Sequence, residues 1–88
     1  MPTLDLTGRH PAVVSIMRWF EHGHLPARLA AVAAPCADLA TQMVEVLPDG
    51  PELTAGLRKL LEAKDCLVRA ELDRTGERVI PRDEDPKA

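Results

Sequence analysis

The 88-residue chain is predicted to be all-α, a short N-terminal helix followed by a long antiparallel helical hairpin, and oligomeric. Apolar residues recur three and four positions apart in three segments, and alanine is frequent in the middle one, which together predict helices. The turn Pro48-Asp49-Gly50-Pro51 separates the two longer segments and predicts the hairpin, because so short a link returns the chain alongside itself.

The first helix is predicted to begin at Pro11, because proline suits the first position of a helix. Its apolar face is formed by Val13, Ile16, Met17 and Phe20. Residues 1–10 show no such period, so they are predicted to form a flexible N-terminal arm. Gly23 and Pro26 mark the turn that follows the helix.

The second helix is predicted to run from Pro26 to Leu47. Its apolar stripe consists of Leu29, Val32, Cys36, Leu39, Ala40, Met43 and Leu47. Pro35 interrupts the pattern, because a proline inside a helix removes one hydrogen bond and clashes with the preceding turn. The segment is therefore expected either to kink or to split at Pro35.

The third helix is predicted from about Glu52 to Arg74, with Gly76 ending it. Its apolar stripe consists of Leu53, Leu57, Leu60, Leu61, Val68 and Leu72. Residues 11–74 thus form the predicted helical hairpin domain. Seven of the fourteen residues in 75–88 are charged, so this segment is predicted to be a disordered tail.

Size and composition favour self-association. A chain of this length buries only about 60 % of its unfolded surface, which leaves a lone monomer with little stability. The chain has two aromatic residues, Trp19 and Phe20, so its core must be built from smaller aliphatic side chains. A second copy of the chain would bury further apolar surface.

The charge balance and the residue content exclude several function classes. The net charge of -3 and the isoelectric point near 5.5 provide no basic field for duplex nucleic acid, and this disfavours a DNA-binding helix-turn-helix protein. We find no apolar run of membrane-spanning length and no signal peptide, so a cytoplasmic location is expected. No Ser/His/Asp set and no Gly-rich phosphate loop occurs, so neither catalysis nor a cofactor is predicted.

A zinc site is the one metal centre that the residue types would permit. His22, His24, Cys36 and Cys66 could supply the ligands, but they lack the close pair spacings that such sites use. The alternative is two partly exposed turn histidines and two buried thiols. We predict no bound metal.

Basic residues are distributed unevenly, with none between Arg28 and Arg58. In the third helix Arg69 has Asp65 and Asp73 one turn away, the arrangement of an ordinary solvated charge pair. Lys64 differs, because the positions three and four residues away from it are all apolar. Such a lysine either extends to water or pairs across an interface or with a ligand.

Three segments resemble a known family. They are Trp19-Phe20-Glu21-His22-Gly23-His24-Leu25-Pro26, Leu47-Pro48-Asp49-Gly50-Pro51-Glu52-Leu53-Thr54 and Leu57-Arg58-Lys59-Leu60-Leu61-Glu62-Ala63-Lys64-Asp65-Cys66-Leu67-Val68-Arg69-Ala70. Together they are similar to the helical hairpin domain of phage nucleotide sponges, which counter the CBASS and Thoeris immune systems. The resemblance covers about residues 16–72.

The resemblance implies a helical protomer that assembles into a ring-like hexamer and holds cyclic di- or trinucleotides between subunits without cleaving them. It places Arg69, beside the small Ala70, on the phosphates of a cyclic trinucleotide. His22 stands where family members usually offer a tyrosine that stacks on a base. The dinucleotide pocket of the family uses a lysine from the middle helix. Residues 29–57 contain no lysine or arginine, so a trinucleotide is the favoured ligand.

The predicted function is therefore a non-catalytic sponge that sequesters cyclic oligonucleotide immune signals and blocks anti-phage defence, in the host cytoplasm if the protein is phage-encoded. The candidate ligand-binding residues are Arg69, Ala70, Lys64, His22, Phe20, His24 and Thr54. The alternative is a structural or protein-binding helical module without a nucleotide ligand, whose apolar faces dock a partner.

Overall fold

The computed structural model describes residues 5–74, and their regular structure is entirely helical. The three helices are α1 (Pro11–Arg18), α2 (Ala27–Val46) and α3 (Pro51–Arg74). No strand occurs in residues 5–74, so the predicted all-α class is confirmed. The predicted disordered tail, residues 75–88, and the first four residues of the predicted arm lie outside the described part of the chain.

Helix α1 follows its apolar pattern closely. Pro11 occupies the first turn, and the ring nitrogen Nδ1 of His10 accepts a hydrogen bond from the Ala12 amide at 3.0 Å, which caps the helix. All four residues of the predicted apolar face are buried: Val13, Ile16, Met17 and Phe20. The spacing of this face therefore predicted correctly which side of α1 meets the rest of the protein.

Helix α2 is continuous through Pro35, so the split that the sequence allowed does not occur. Its buried stripe consists of Leu29, Ala33, Cys36, Ala40 and Val44. Leu39 and Leu47 belonged to the predicted stripe, but 44 % and 43 % of their surfaces are exposed. The predicted stripe also lacked the buried Ala33 and Val44, so the buried face of α2 is shifted around the helix from the predicted one.

Helix α3 joins the fold together, because it contacts both α1 and α2. Leu53 and Leu57 are buried, and Leu60 and Leu61 pack against the core from its edge. The core cluster comprises Val13, Ile16, Met17, Phe20, Cys36, Ala40, Val44, Leu53 and Leu57. Each helix therefore contributes to one apolar core, as the periodicity predicted.

The last two residues of the predicted arm, Arg9 and His10, are attached to the turn between α2 and α3. The Arg9 guanidinium donates to Asp49 Oδ1 at 2.7 Å, to the Val44 carbonyl at 2.7 Å and to the Leu47 carbonyl at 2.9 Å. The His10 amide donates to Asp49 Oδ2 at 2.7 Å. Arg9 thus satisfies carbonyls at the C-terminal end of α2, where a cation is also favoured by the helix dipole.

These bonds also affect the acidity of Asp49. The hydrogen bond from the His10 amide and then the one from Arg9 hold the pKa of the Asp49 carboxyl below its usual value of 3.8. The turn residue is therefore an ionised partner for the N-terminal segment throughout the neutral range.

One helix of the described part, α2, is long and apolar enough to cross a membrane by length and composition, with a mean hydropathy of 1.3. No such segment was predicted from the sequence. Alanines account for the difference, since they raise hydropathy without forming a run of large apolar residues. Core helices of soluble proteins meet the same criterion, so this feature alone is weak evidence for a membrane span.

Candidate functional site

A groove beside the end of α1 brings together three of the predicted ligand-binding residues, Lys64, Arg69 and His24. We call it the tryptophan groove, because the exposed Trp19 forms one of its sides. Its volume is about 390 Å³. The lining residues are Arg18, Trp19, Glu21, His24, Leu25, Lys64, Asp65, Val68 and Arg69.

Lys64 has a structural partner inside this groove. Its Nζ donates to the Trp19 carbonyl at 3.0 Å and lies 3.2 Å from Asp65 Oδ1. Only 11 % of the side chain is exposed. Trp19 is the C-terminal cap of α1, so the ammonium ties α3 to the end of the first helix. The unusual position of Lys64 in the sequence is thus explained by an interaction with another helix of the same chain.

Arg69 lies one turn further along α3 and is exposed. The hydrogen bond that its guanidinium makes within residues 5–74 goes to Cys66 Sγ at 3.9 Å, which is a weak acceptor. Asp65, one of the two acidic residues expected to pair with Arg69, pairs with Lys64. The planar donor fork of Arg69 is therefore available to an anion in the groove.

Phe20 and His22 line a different cavity, which we call the histidine cavity, of about 490 Å³. Phe20 is 2 % exposed and belongs to the core, so its ring has no free face for a base. His22 is half-buried, with Nδ1 3.2 Å from the Phe20 carbonyl. His24 lines both the histidine cavity and the tryptophan groove.

The remaining two candidates lie apart from the tryptophan groove. Thr54 lies in the first turn of α3, where its amide donates to the Gly50 carbonyl at 3.1 Å. Fifteen residues separate Thr54 from Arg69, which is about 22 Å along a helix. Ala70 is exposed but does not line the groove. Within one protomer, Thr54 and Arg69 therefore cannot hold the same small ligand.

The two cysteines are free and differ in environment. Cys36 is buried, whereas Cys66 is exposed, which contradicts the interpretation of both as buried thiols. Cys66 lies on α3 beyond the buried Leu53 and Leu57, where the core covers less of the helix. Among residues 5–74, no three His, Cys, Asp or Glu side chains are grouped so that they could hold a metal ion.

Two residues of the tryptophan groove, Trp19 and Arg18, are not among the ligand-binding residues predicted from the sequence. Trp19 is 65 % exposed. Position 19 lies three residues after Ile16, so the three- and four-residue spacing alone did not mark Trp19 as exposed. The neighbouring Arg18 is the last residue of α1 and is also exposed.

The groove combines an aromatic surface with an excess of positive charge. Lys64 and Asp65 neutralise each other as a pair, which leaves the guanidiniums of Arg18 and Arg69 against the carboxylate of Glu21. Guanidiniums bind phosphates through paired hydrogen bonds, and an exposed indole can stack on a base. The tryptophan groove is therefore suited to a ligand that carries both a phosphate and a base.

A second open surface is apolar and lies between α2 and α3. We call it the apolar groove, and its volume is about 370 Å³. It is lined by Leu39, Met43, Leu47, Glu52, Leu53, Gly56, Leu57 and Leu60. The exposed Leu39 and Leu47 belong to it, so their position in the α2 stripe is explained by a surface that no other helix in residues 5–74 covers.

No family model, no curated protein and no solved structure matches this chain.

Proposed function

We propose that the protein is a non-catalytic sponge that binds a cyclic oligonucleotide immune signal, a trinucleotide rather than a dinucleotide, and so blocks bacterial anti-phage defence. The observation that carries the proposal is the tryptophan groove, in which Arg69 lies near an exposed indole. The resemblance to phage nucleotide sponges supplies the ligand class. The proposal implies a cytoplasmic protein, because such signals are made in the cytoplasm.

Charge in the groove supports an anionic ligand. The ion pair between Lys64 and Asp65 leaves Arg18 and Arg69 as the cations that can bind a phosphate. Charge-assisted hydrogen bonds from a guanidinium to phosphate are roughly twice as strong as neutral ones. A cyclic trinucleotide, with several phosphates on one ring, would engage more than one of these cations.

We further propose that each protomer is an antiparallel helical hairpin, α2 against α3 with α1 packed on α3, and that protomers assemble into an oligomer, a hexamer by the resemblance. The apolar groove supports assembly, because Leu39 and Leu47 are more than two-fifths exposed. Burying such leucines against a second copy would contribute about 25 cal/mol for each Å² removed from water. Assembly could also bring Arg69 of one protomer near Thr54 of another, which one protomer cannot do.

The test is calorimetry with cyclic triadenylate and a cyclic dinucleotide, using the intact protein. We expect the trinucleotide to bind and Arg69→Ala to abolish its binding, since each charged hydrogen bond lost costs about 1.5–3 kcal/mol. Lys59→Ala is the matched control, because Lys59 is an exposed cation on α3 outside the tryptophan groove. Light scattering of both variants should give the mass of the parent oligomer.

The apolar groove also favours a second candidate function, a protein-binding helical module. An exposed groove lined by leucines can accept the apolar face of another helix. Nucleotide binding and the oligomeric state of the parent protein distinguish the two candidate functions. If the parent binds no cyclic nucleotide and is monomeric at micromolar concentration, the sponge is refuted and the protein-binding module remains.

A further inference from the structure

Trp19 is the large aromatic side chain that the protein leaves in solvent. It follows the last residue of α1, and 65 % of its surface is exposed while the adjacent Phe20 is 2 % exposed. An exposed indole forgoes apolar burial that the core could have used, since aromatic side chains remove about 150–250 Å² from water when buried. Its backbone is nevertheless held, because the Trp19 amide donates to the Ile16 carbonyl at 3.0 Å.

Lys64 also holds the backbone of Trp19, at its carbonyl. Its ammonium donates to the Trp19 carbonyl at 3.0 Å, and the side chain is only 11 % exposed. Asp65 Oδ1, 3.2 Å from Nζ, balances its charge. An ammonium committed to a carbonyl and a carboxylate has little remaining capacity for a phosphate, because it offers three donors in all. Lys64 therefore acts on the groove by fixing Trp19.

We propose that Trp19 is the stacking platform for a base of the bound nucleotide, and that Lys64 is a positioning residue that acts through the Trp19 carbonyl. This inference rests on the proposed function and refines it, because it assigns the base and the phosphates to different residues. Arg18 and Arg69 hold the phosphates, and the indole holds the base. A platform whose backbone is already fixed loses less conformational freedom when the ligand binds.

The protein's own fluorescence tests the platform. Trp19 is the only tryptophan and the chain has no tyrosine, so the emission reports on the groove alone. We expect cyclic triadenylate to quench this emission, whereas inorganic tripolyphosphate, an anion without a base, should not. Binding without any change in emission would overturn the platform and leave the proposed function standing.

Variants measure the contribution of the ring. Trp19→Ala should weaken binding of cyclic triadenylate by about 10- to 100-fold, the range expected for one lost base stack, and Trp19→Phe should weaken it less. Light scattering and circular dichroism should show the oligomer and the helices intact. If Trp19→Ala binds as tightly as the parent, the platform is wrong although the sponge remains. If the parent binds no cyclic nucleotide, both proposals fail.

The role of Lys64 is separable from phosphate binding. Lys64→Met should weaken nucleotide binding and lower the fluorescence anisotropy of Trp19 in the free protein, because the ring becomes more mobile. The dependence of affinity on salt should stay that of the parent, whereas Arg18→Ala, which removes the other cation assigned to the phosphates, should reduce it. Lys59→Met is the control and should change neither anisotropy nor affinity. A reduced salt dependence in Lys64→Met would make Lys64 a phosphate ligand and overturn its positioning role.

Discussion

Truncation of two adjacent aromatic residues, Phe20 and Trp19, should destabilise the protein by very different amounts. Phe20 is 2 % exposed and lies in the core cluster. A buried aromatic side chain removes at least about 150 Å² from water, which at roughly 25 cal/mol per Å² is about 4 kcal/mol. Measured Phe→Ala substitutions in cores cost about 3–5 kcal/mol. We therefore expect Phe20→Ala to lower the free energy of unfolding by about 4 kcal/mol.

That loss is large for a chain of 88 residues, whose total stability should be about 4–13 kcal/mol at 0.05–0.15 kcal/mol per residue. Trp19→Ala should cost far less, because only about a third of the indole is buried. The same area arithmetic gives at most about 2 kcal/mol for Trp19, and this is an upper bound because unfolded chains already bury some surface.

The assay is urea unfolding followed by circular dichroism at 222 nm, since Trp19→Ala removes the fluorophore. All three proteins must be compared at one concentration, because assembly adds to apparent stability. Phe20→Ala should have the lower midpoint by a clear margin. A cost below about 1 kcal/mol for Phe20→Ala, or an equal cost for the two variants, would refute the assignment of Phe20 to the core and of Trp19 to the surface.

Two further predictions concern the turn and the thiols. Hydrogen bonds from the His10 amide and Arg9 lower the folded-state pKa of Asp49. The stabilising contribution of this carboxylate is therefore complete above its usual pKa of 3.8 and is lost as pH falls through the lower folded value. In urea titrations, the difference in unfolding free energy between the parent and Asp49→Asn should be constant at neutral pH and shrink below about pH 4. A thiol reagent should modify the exposed Cys66 rapidly and the buried Cys36 only after unfolding. Cys36→Ser, which keeps Cys66, should therefore react faster than Cys66→Ser, which keeps Cys36. Equal reaction rates of the two variants would contradict these environments.

The sequence predicted the helices and the buried face of α1 because both depend on local spacing. The prediction for α2 was less accurate, because the predicted apolar arc missed the buried Ala33 and Val44 and included the exposed Leu39 and Leu47. Leu39 and Leu47 lie on the edge of that arc, and only the arrangement of the helices shows that they line an open groove. Pro35 left two alternatives, and in the structure α2 is one continuous helix.

Tertiary hydrogen bonds had no counterpart in the sequence. The absence of acidic residues one turn from Lys64 showed that it was unusual, but its acceptor is a main-chain carbonyl 45 positions away. The candidate set was accordingly divided by the structure: Arg69 and His24 share a groove with Lys64, while Phe20 is in the core and Thr54 is at the other end of α3. Which helix ends meet is decided by packing and is not encoded in any local motif.

The attachment of Arg9 to the end of α2 has a consequence for the order in which the protein folds. Helices form from neighbours within a few residues, whereas the bonds from Arg9 to Val44, Leu47 and Asp49 close loops of 35 to 40 residues. Closing such loops costs entropy before the bonds are made, so we expect them to form after the main barrier to folding. Interactions absent from that barrier slow unfolding and leave the folding rate almost unchanged. The N-terminal segment would then slow unfolding and so lengthen the lifetime of the folded protein.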